Sequence, residues 1–219
     1  MKLLPLLFAC VFTLASSSVL ADDAGFVSLF NGKDTTGWIQ VKQKAGGYGV
    51  KDGVLFCSKG ETGNLTTEKE YSNFILRLEF KLDPAANNGV GLRFEREAHA
   101  SYDGMEIQIL DDDAPVYANL RPAQYCGSIY DVFPAKRGAL KPVGQWNEEE
   151  ITADGRHVKV VLNGQTIVDA DLDTVTDPVV LKKHPGLQRT GGCIGLLSHN
   201  DYVEFRNIKI KELPASAAK

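Results

Sequence analysis

The segment Gly104-Met105-Glu106-Ile107-Gln108-Ile109-Leu110-Asp111 alternates bulky apolar side chains with an acid and an amide. In a strand successive side chains leave opposite faces, so Met105, Ile107 and Ile109 would enter a core while Glu106 and Gln108 stand together on the other face. A carboxylate and a carboxamide one strand repeat apart on a rigid sheet can share a sugar-sized ligand, the acid accepting a proton and the amide orienting hydroxyls. The same pattern also describes an ordinary antiparallel strand with one solvated face.

The elements that would hold this strand are legible from turns and alternation. Tyr48-Gly49-Val50 and Val54-Leu55-Phe56 flank Lys51-Asp52-Gly53, and His157–Leu162 faces Gln165–Ala170 across Asn163-Gly164; both read as hairpins. Phe74–Leu82 alternates Leu76, Leu78 and Phe80 with Arg77, Glu79 and Lys81. A turn is expected at Asn87-Asn88-Gly89, followed by a strand over Val90–Phe94, and the chain closes with strands over Cys193–Leu197 and Tyr202–Lys211. Many short strands without a long helical period predict an all-β, antiparallel sandwich. The Pro-, Gly- and Ala-rich stretch 111–145 is a long connection of the kind that forms lids and binding loops.

Composition sets the address and excludes some partners. Lys2, the apolar run Leu3–Leu14 and Val19-Leu20-Ala21 make a tripartite export signal over residues 1–21, with a secreted or periplasmic domain over 22–213 and a disordered tail over 214–219. Lipid attachment at Cys10 is the rival processing route. The apolar run is too short to span a bilayer, so no membrane span is expected. The chain carries 24 Lys and Arg against 28 Asp and Glu; losing Lys2 with the signal leaves 23 against 28, a net of −5. That charge argues against nucleic acid or an anionic membrane as partner. Cys57, Cys126 and Cys193 are too few and odd for a disulfide framework and show no zinc spacing, although one bridge could form.

Taken in order, the landmarks are Leu29-Phe30-Asn31-Gly32-Lys33-Asp34 with Gly37-Trp38, Gly89-Val90-Gly91-Leu92-Arg93 and Gly104–Asp111. They continue with Gly127-Ser128-Ile129-Tyr130, Gln145-Trp146-Asn147, Leu162-Asn163-Gly164, Gly195-Leu196-Leu197-Ser198-His199 and Val203-Glu204-Phe205-Arg206-Asn207-Ile208. This series resembles the 3-keto-disaccharide hydrolase domain family, whose members adopt a jelly-roll sandwich like the concanavalin A-type lectins and glucanases. The resemblance runs from about Phe26 to Glu212. One departure stands out: the family usually reads Leu-Gln-x-His-Gly near its end, where this chain has Leu196-Leu197-Ser198-His199-Asn200.

The resemblance implies a small carbohydrate substrate carrying a ketone at C3. Such a ketone acidifies the hydrogen at C2, so the glycosidic bond can leave by β-elimination once a base removes that proton. The site then needs a base, an acid at the glycosidic oxygen, and a donor at the C3 oxygen. Glu106, His199 and Arg93 are assigned those roles, Arg93 because alternation from Val90, Leu92 and Phe94 would place it on the Glu106 face. Gln108, Tyr130 and Asp111 are taken as substrate contacts, and Trp38 or Trp146 as a platform for a sugar ring. Each has a plainer reading: an Arg93–Glu106 cross-strand ion pair, a strand-end His199, core tryptophans, and a solvated or calcium-binding turn at Asp111-Asp112-Asp113. No cofactor and no required metal are expected. A lectin-like carbohydrate-binding module and a two-carboxylate glycosidase are the competing functions.

Overall fold

Left-handed backbone at Asp52 and Gly53 (φ 52° and 78°) and at Asn163 and Gly164 (φ 49° and 79°) gives the two hairpin turns their type I′ geometry. The computed structural model describes residues 23–41, 47–60 and 62–214. The expected export signal over 1–21, the Cys10 alternative and the last five residues of the tail lie outside them. Two antiparallel sheets face each other. The larger contains β1 (Val27–Ser28), β3 (Tyr48–Lys51), β4 (Val54–Cys57), β6 (Phe74–Leu82), β9 (Trp146–Asp154), β10 (His157–Leu162), β11 (Gln165–Asp171) and β13 (Val203–Glu212). The smaller runs in the order β2 (Trp38–Val41), β5 (Thr62–Thr67), β12 (Cys193–His199), β7 (Asn87–Phe94) and β8 (Met105–Leu110). Helix is limited to short pieces, chiefly α1 (Ala100–Asp103) and α2 (Pro178–Lys183).

Period-two burial drives the sandwich together. On β6, Phe74, Leu76, Leu78, Phe80 and Leu82 are buried, and Met105, Ile107 and Ile109 of β8 meet them across the interface. Cys57, Cys126 and Cys193 are all buried thiols. Trp38 also belongs to this core: its ring is buried and Nε1 donates to Leu29 O at 2.6 Å, so it is no sugar platform. Trp146 lies on the outer face of the larger sheet, beneath Arg206 and Lys81.

The expected turn at 87–89 is displaced. The chain reverses at Asp83–Ala86, with Ala85 at φ 59° and Ala86 N donating to Asp83 O, and residues 87–89 already belong to β7. Asp111 explains the shift: its Oδ2 accepts from Ala85 N at 2.8 Å, fastening the turn one strand away. Asn88 then points inward and donates to the Tyr48 hydroxyl.

A second departure decides the site. Leu92 pairs with Ile194 and Phe94 with Cys193, so Arg93 is an extra, bulged residue, at φ 52°. The bulge resets the pleat: Phe94 goes to the Glu106 face, and Arg93 does not. Its guanidinium is fully buried and donates to Ser72 O at 2.8 Å, Gly155 O at 2.7 Å and Asn73 Oδ1 at 3.2 Å. Arg93 thus ties the smaller sheet to the start of β6 and the β9–β10 turn, and burial brings its pKa down to about 10. The ketone-binding role assigned to Arg93 from simple alternation is therefore withdrawn.

Among the described residues, one acid in the core has no hydrogen-bond partner. Glu149 of β9 faces inward opposite Leu78 and Leu162, is 2% exposed, and finds no hydrogen bond for either carboxyl oxygen among the described residues. Burial pushes its pKa from 4.5 up to about 8.

Two outcomes follow. Arg93→Lys keeps the charge but loses the planar fork, and should lower stability by about 2–4 kcal/mol with activity per folded molecule retained. A shifted urea midpoint at unchanged slope checks this; normal stability with lost turnover would return Arg93 to the chemistry. For Glu149, both folded and unfolded states are protonated below about pH 4.5. As pH rises toward about 8 the unfolded state ionises first, so stability is lost through that window, by up to about 5 kcal/mol. Glu149→Gln should flatten the dependence of Tm on pH between 5 and 8.5; an unchanged slope would show that Glu149 is not its source.

Candidate active site

Glycines clear the space in which Glu106 sits. Across β7 and β8, Gly91 pairs with Glu106 and Gly89 with Gln108; across β7 and β12, Gly195 pairs with Gly91 and Leu197 with Gly89. A Cβ on Gly89 would lie 2.2 Å from Glu106 Oε1 and 2.9 Å from its Cγ. The Glu106 side chain therefore lies flat over Gly89. Gly91 and Gly195 do the same for Phe94, whose ring would meet a Cβ on either at 2.7 Å. Phe94 packs there with Ala100, Cys193 and Leu197 as a small apolar cluster separate from the main core. Leu197, the position where the chain departs from the family pattern, is thus a member of this cluster.

This face is roofed rather than solvated: Glu106 is only 3% exposed. Helix α1 supplies one cover. Ser101 is itself buried, and its hydroxyl makes a short hydrogen bond to Glu106 Oε2. The other oxygen, Oε1, has no hydrogen-bond partner among the described residues, and His199 Nε2 stands 3.6 Å from it. The His199 side chain is 41% exposed at the end of β12, so the pair connects a buried carboxylate to the surface. An acid and an imidazole in that relation can take a proton at one atom and deliver one at another.

The 111–145 connection supplies the second cover by pairing with the open edge of β8. Gln108 N donates to Ser128 O at 3.0 Å, Gly127 N to Gln108 O at 2.7 Å and Tyr130 N to Glu106 O at 2.9 Å. Tyr130 is thereby fixed beside Glu106. Its hydroxyl oxygen accepts from Gln124 Nε2 at 3.1 Å, and burial raises the phenol pKa, so it remains a protonated donor. Gln108 Oε1 accepts from Ile109 N at 3.1 Å, which leaves the carboxamide NH2 for a ligand.

The structure thus brings Glu106, His199, Gln108 and Tyr130 together and leaves the other expected residues elsewhere. Arg93 ties the sandwich end and Trp38 fills the core. Asp111 does not face a ligand: Oδ2 holds Ala85 N and Oδ1 accepts from Asp113 N at 3.3 Å. Asp112 is likewise engaged, by Cys126 N and Arg137. Among the described residues no group of three His, Cys, Asp or Glu side chains is placed to hold a metal. Ser101 was not anticipated, because its approach depends on α1 folding back over β8. Nor was His184, which is buried and donates through Nδ1 to Ser101 O at 3.0 Å. Two surface depressions, about 260 Å³ behind α1 and about 790 Å³ on the outer face of the larger sheet, do not include Glu106 or His199. The larger is lined by satisfied ion pairs such as Arg77–Glu150 and Lys209–Asp23.

Comparison with known proteins bears on this site. A family model described as the 3-keto-alpha-glucoside-1,2-lyase-like domain matches residues 25–211. A 3-keto-disaccharide hydrolase of Bacteroides thetaiotaomicron is 26% identical over 88% of this chain and 80% of its own length. The solved structure of a proposed glycosyl hydrolase from Parabacteroides distasonis superposes with a TM-score of 0.75 at 30% identity, over 86% of this chain and 99% of that one. A β-glucanase of Bacillus licheniformis, at 11% identity and TM-score 0.56 over 88% of this chain and all of that one, shares the jelly-roll fold alone.

Gly89→Ala tests the floor directly. The added methyl cannot coexist with Glu106 in place, so turnover should fall at least tenfold while Tm drops by only a few degrees, the backbone at Gly89 being one that alanine can adopt. Unchanged kinetics in a folded Gly89→Ala protein would mean that Glu106 does not work from this position.

Proposed function

This chain belongs to the 3-keto-alpha-glucoside-1,2-lyase-like domain family, and on that premise we propose that it cleaves 3-keto-glycosides with Glu106 as base and His199 as acid. Its relatives support a carbohydrate hydrolase in general terms. The observation that carries the finer reading is the Glu106 carboxylate, held at Oε2 by Ser101 while Oε1 has no hydrogen-bond donor among the described residues and faces His199 at 3.6 Å.

In this mechanism Glu106 Oε1 takes the proton from C2. The C–H electron pair moves toward C3 and charge collects on the ketone oxygen, for which the Gln108 NH2 and the Tyr130 hydroxyl are the donors we assign in place of Arg93. Collapse of that enolate breaks the C1–oxygen bond, and the His199 imidazolium gives its proton to the departing oxygen. The product at this stage is an enone. Hydration runs the same transfers backward: His199 removes a proton from water as its oxygen adds to C1, and Glu106 returns its proton to C2. Both groups recover their starting state, and the net change is hydrolysis.

Release of the aglycone from a chromogenic 3-keto-glucoside measures this activity. Glu106→Gln preserves size and removes the base, so turnover should fall by about 10²–10⁴-fold with binding retained. His199→Ala should lose much less on a leaving group of low pKa than on an alkyl alcohol. Near-normal turnover in folded Glu106→Gln would dismiss the base assignment, and binding without release by the parent protein would favour a carbohydrate-binding module instead.

A further inference from the structure

We propose that Ser101 is a positioning residue for Glu106: its hydroxyl selects Oε1 as the reacting oxygen by occupying Oε2, and α1 exists in this fold to present that hydroxyl. The inference rests on the reading of Glu106 as the base. A carboxylate has two equivalent oxygens and a side chain with three rotatable bonds, so a base that must approach one C–H bond needs something to fix which oxygen points where. Here the selection is complete. Oε2 accepts from Ser101, Gly89 permits the flat pose, and Oε1 is left toward His199.

The hydroxyl is held with more structure than a four-residue helix would ordinarily have. Gly104 ends α1 where a Cβ would strike Leu92 O at 2.5 Å and Phe94 Cβ at 2.6 Å, so the helix is pressed onto β7. From the other side comes the turn Pro185–Gln188. A Cβ on Gly186 would lie 2.1 Å from Gly104 N and 2.2 Å from Asp103 C, a direct backbone-on-backbone contact. His184, at the start of that turn, donates from Nδ1 to the carbonyl of Ser101 itself. Tyr102 is packed against the His184 ring, with centroids 5.3 Å apart. Ser101 is thus gripped by its own backbone carbonyl, and its side chain grips Glu106.

A hydroxyl donating to a carboxylate favours the charged form, so its removal has a signature that loss of packing does not share. In Ser101→Ala, kcat on the chromogenic 3-keto-glucoside should fall about 10–100-fold with KM within about threefold, and the acidic limb of the kcat–pH profile should move to higher pH. Ser101→Cys, close to serine in volume but a weak donor, should show the same profile shift, while Ser101→Thr, which keeps the hydroxyl, should recover most of the activity and the original limb. If Ser101→Ala fails to fold, the Cys and Thr pair decides the question. Coincident pH profiles for Ser101→Cys and the parent would overturn the proposal. Glu106→Gln is assayed alongside: if it is inactive and Ser101 variants are normal, only this inference fails, whereas an active Glu106→Gln removes the reading beneath it.

Discussion

A carboxylate withdrawn from water must be met by donors or it will not remain a carboxylate, and the burial of Glu106 is the constraint around which this face of the molecule is arranged. The acid cannot lie flat without Gly89, cannot be covered without α1, and cannot exchange protons with solvent without a group that reaches the surface, which is His199. Each requirement falls on a different segment of the chain. The glycines come from β7 and β12, the hydroxyl from the β7–β8 connection, the imidazole from the end of β12, and the flanking donors from β8 and the 111–145 connection. The sandwich supplies the rigidity that lets these segments converge.

The bulge at Arg93 is the device by which the sheet serves both its core and its site. Without it, Phe94 would follow Val90 and Leu92 into the core, and Arg93 would stand over the polar face beside Glu106 as a permanent cation. One extra residue exchanges them. Phe94 becomes the lid of the glycine floor and joins Ala100, Cys193 and Leu197 under α1, giving the helix an apolar seat. Arg93 is released to bridge the two sheets through backbone carbonyls, a task for which a planar fork with several donors suits the geometry. Under the proposed mechanism the ketone oxygen is therefore served by the uncharged Gln108 and Tyr130 rather than by a guanidinium.

Much of this was legible in the sequence wherever the physics is local. Asp52-Gly53 and Asn163-Gly164 announce left-handed turns, and the alternation from Met105 to Ile109 separates the core side of β8 from Glu106 and Gln108 without ambiguity. Local signals mislead where a distant contact overrides them. Asn87-Asn88-Gly89 has the composition of a turn, yet Asp111 fastens the reversal at Asp83–Ala86 and draws Asn88 into the interior. Arginine is a poor marker for a positive φ, so nothing at Arg93 betrays the bulge, and strict alternation then misplaces everything downstream of Leu92. Ser101 and His184 are 83 residues apart and meet through backbone contacts that only glycine permits, at Gly104 and Gly186. Those glycines are visible in the sequence; what they allow to touch is not.

Glu149 supplies the contrast to the base proposed at Glu106. Both acids lie on strands of the same sandwich, and both are almost wholly inaccessible, at 2% and 3%. Glu149 has apolar strand neighbours and, among the described residues, no donor for either oxygen, and burial alone raises its pKa to about 8, which makes it a neutral acid over most of the physiological range. Glu106 has a hydroxyl on one oxygen, an imidazole beside the other, and peptide-backed donors on either flank. Burial is therefore not what makes the site. In the proposed mechanism it is the asymmetry of the two carboxylate oxygens, one engaged by Ser101 and one facing His199, that would let an inaccessible glutamate remove a proton from carbon.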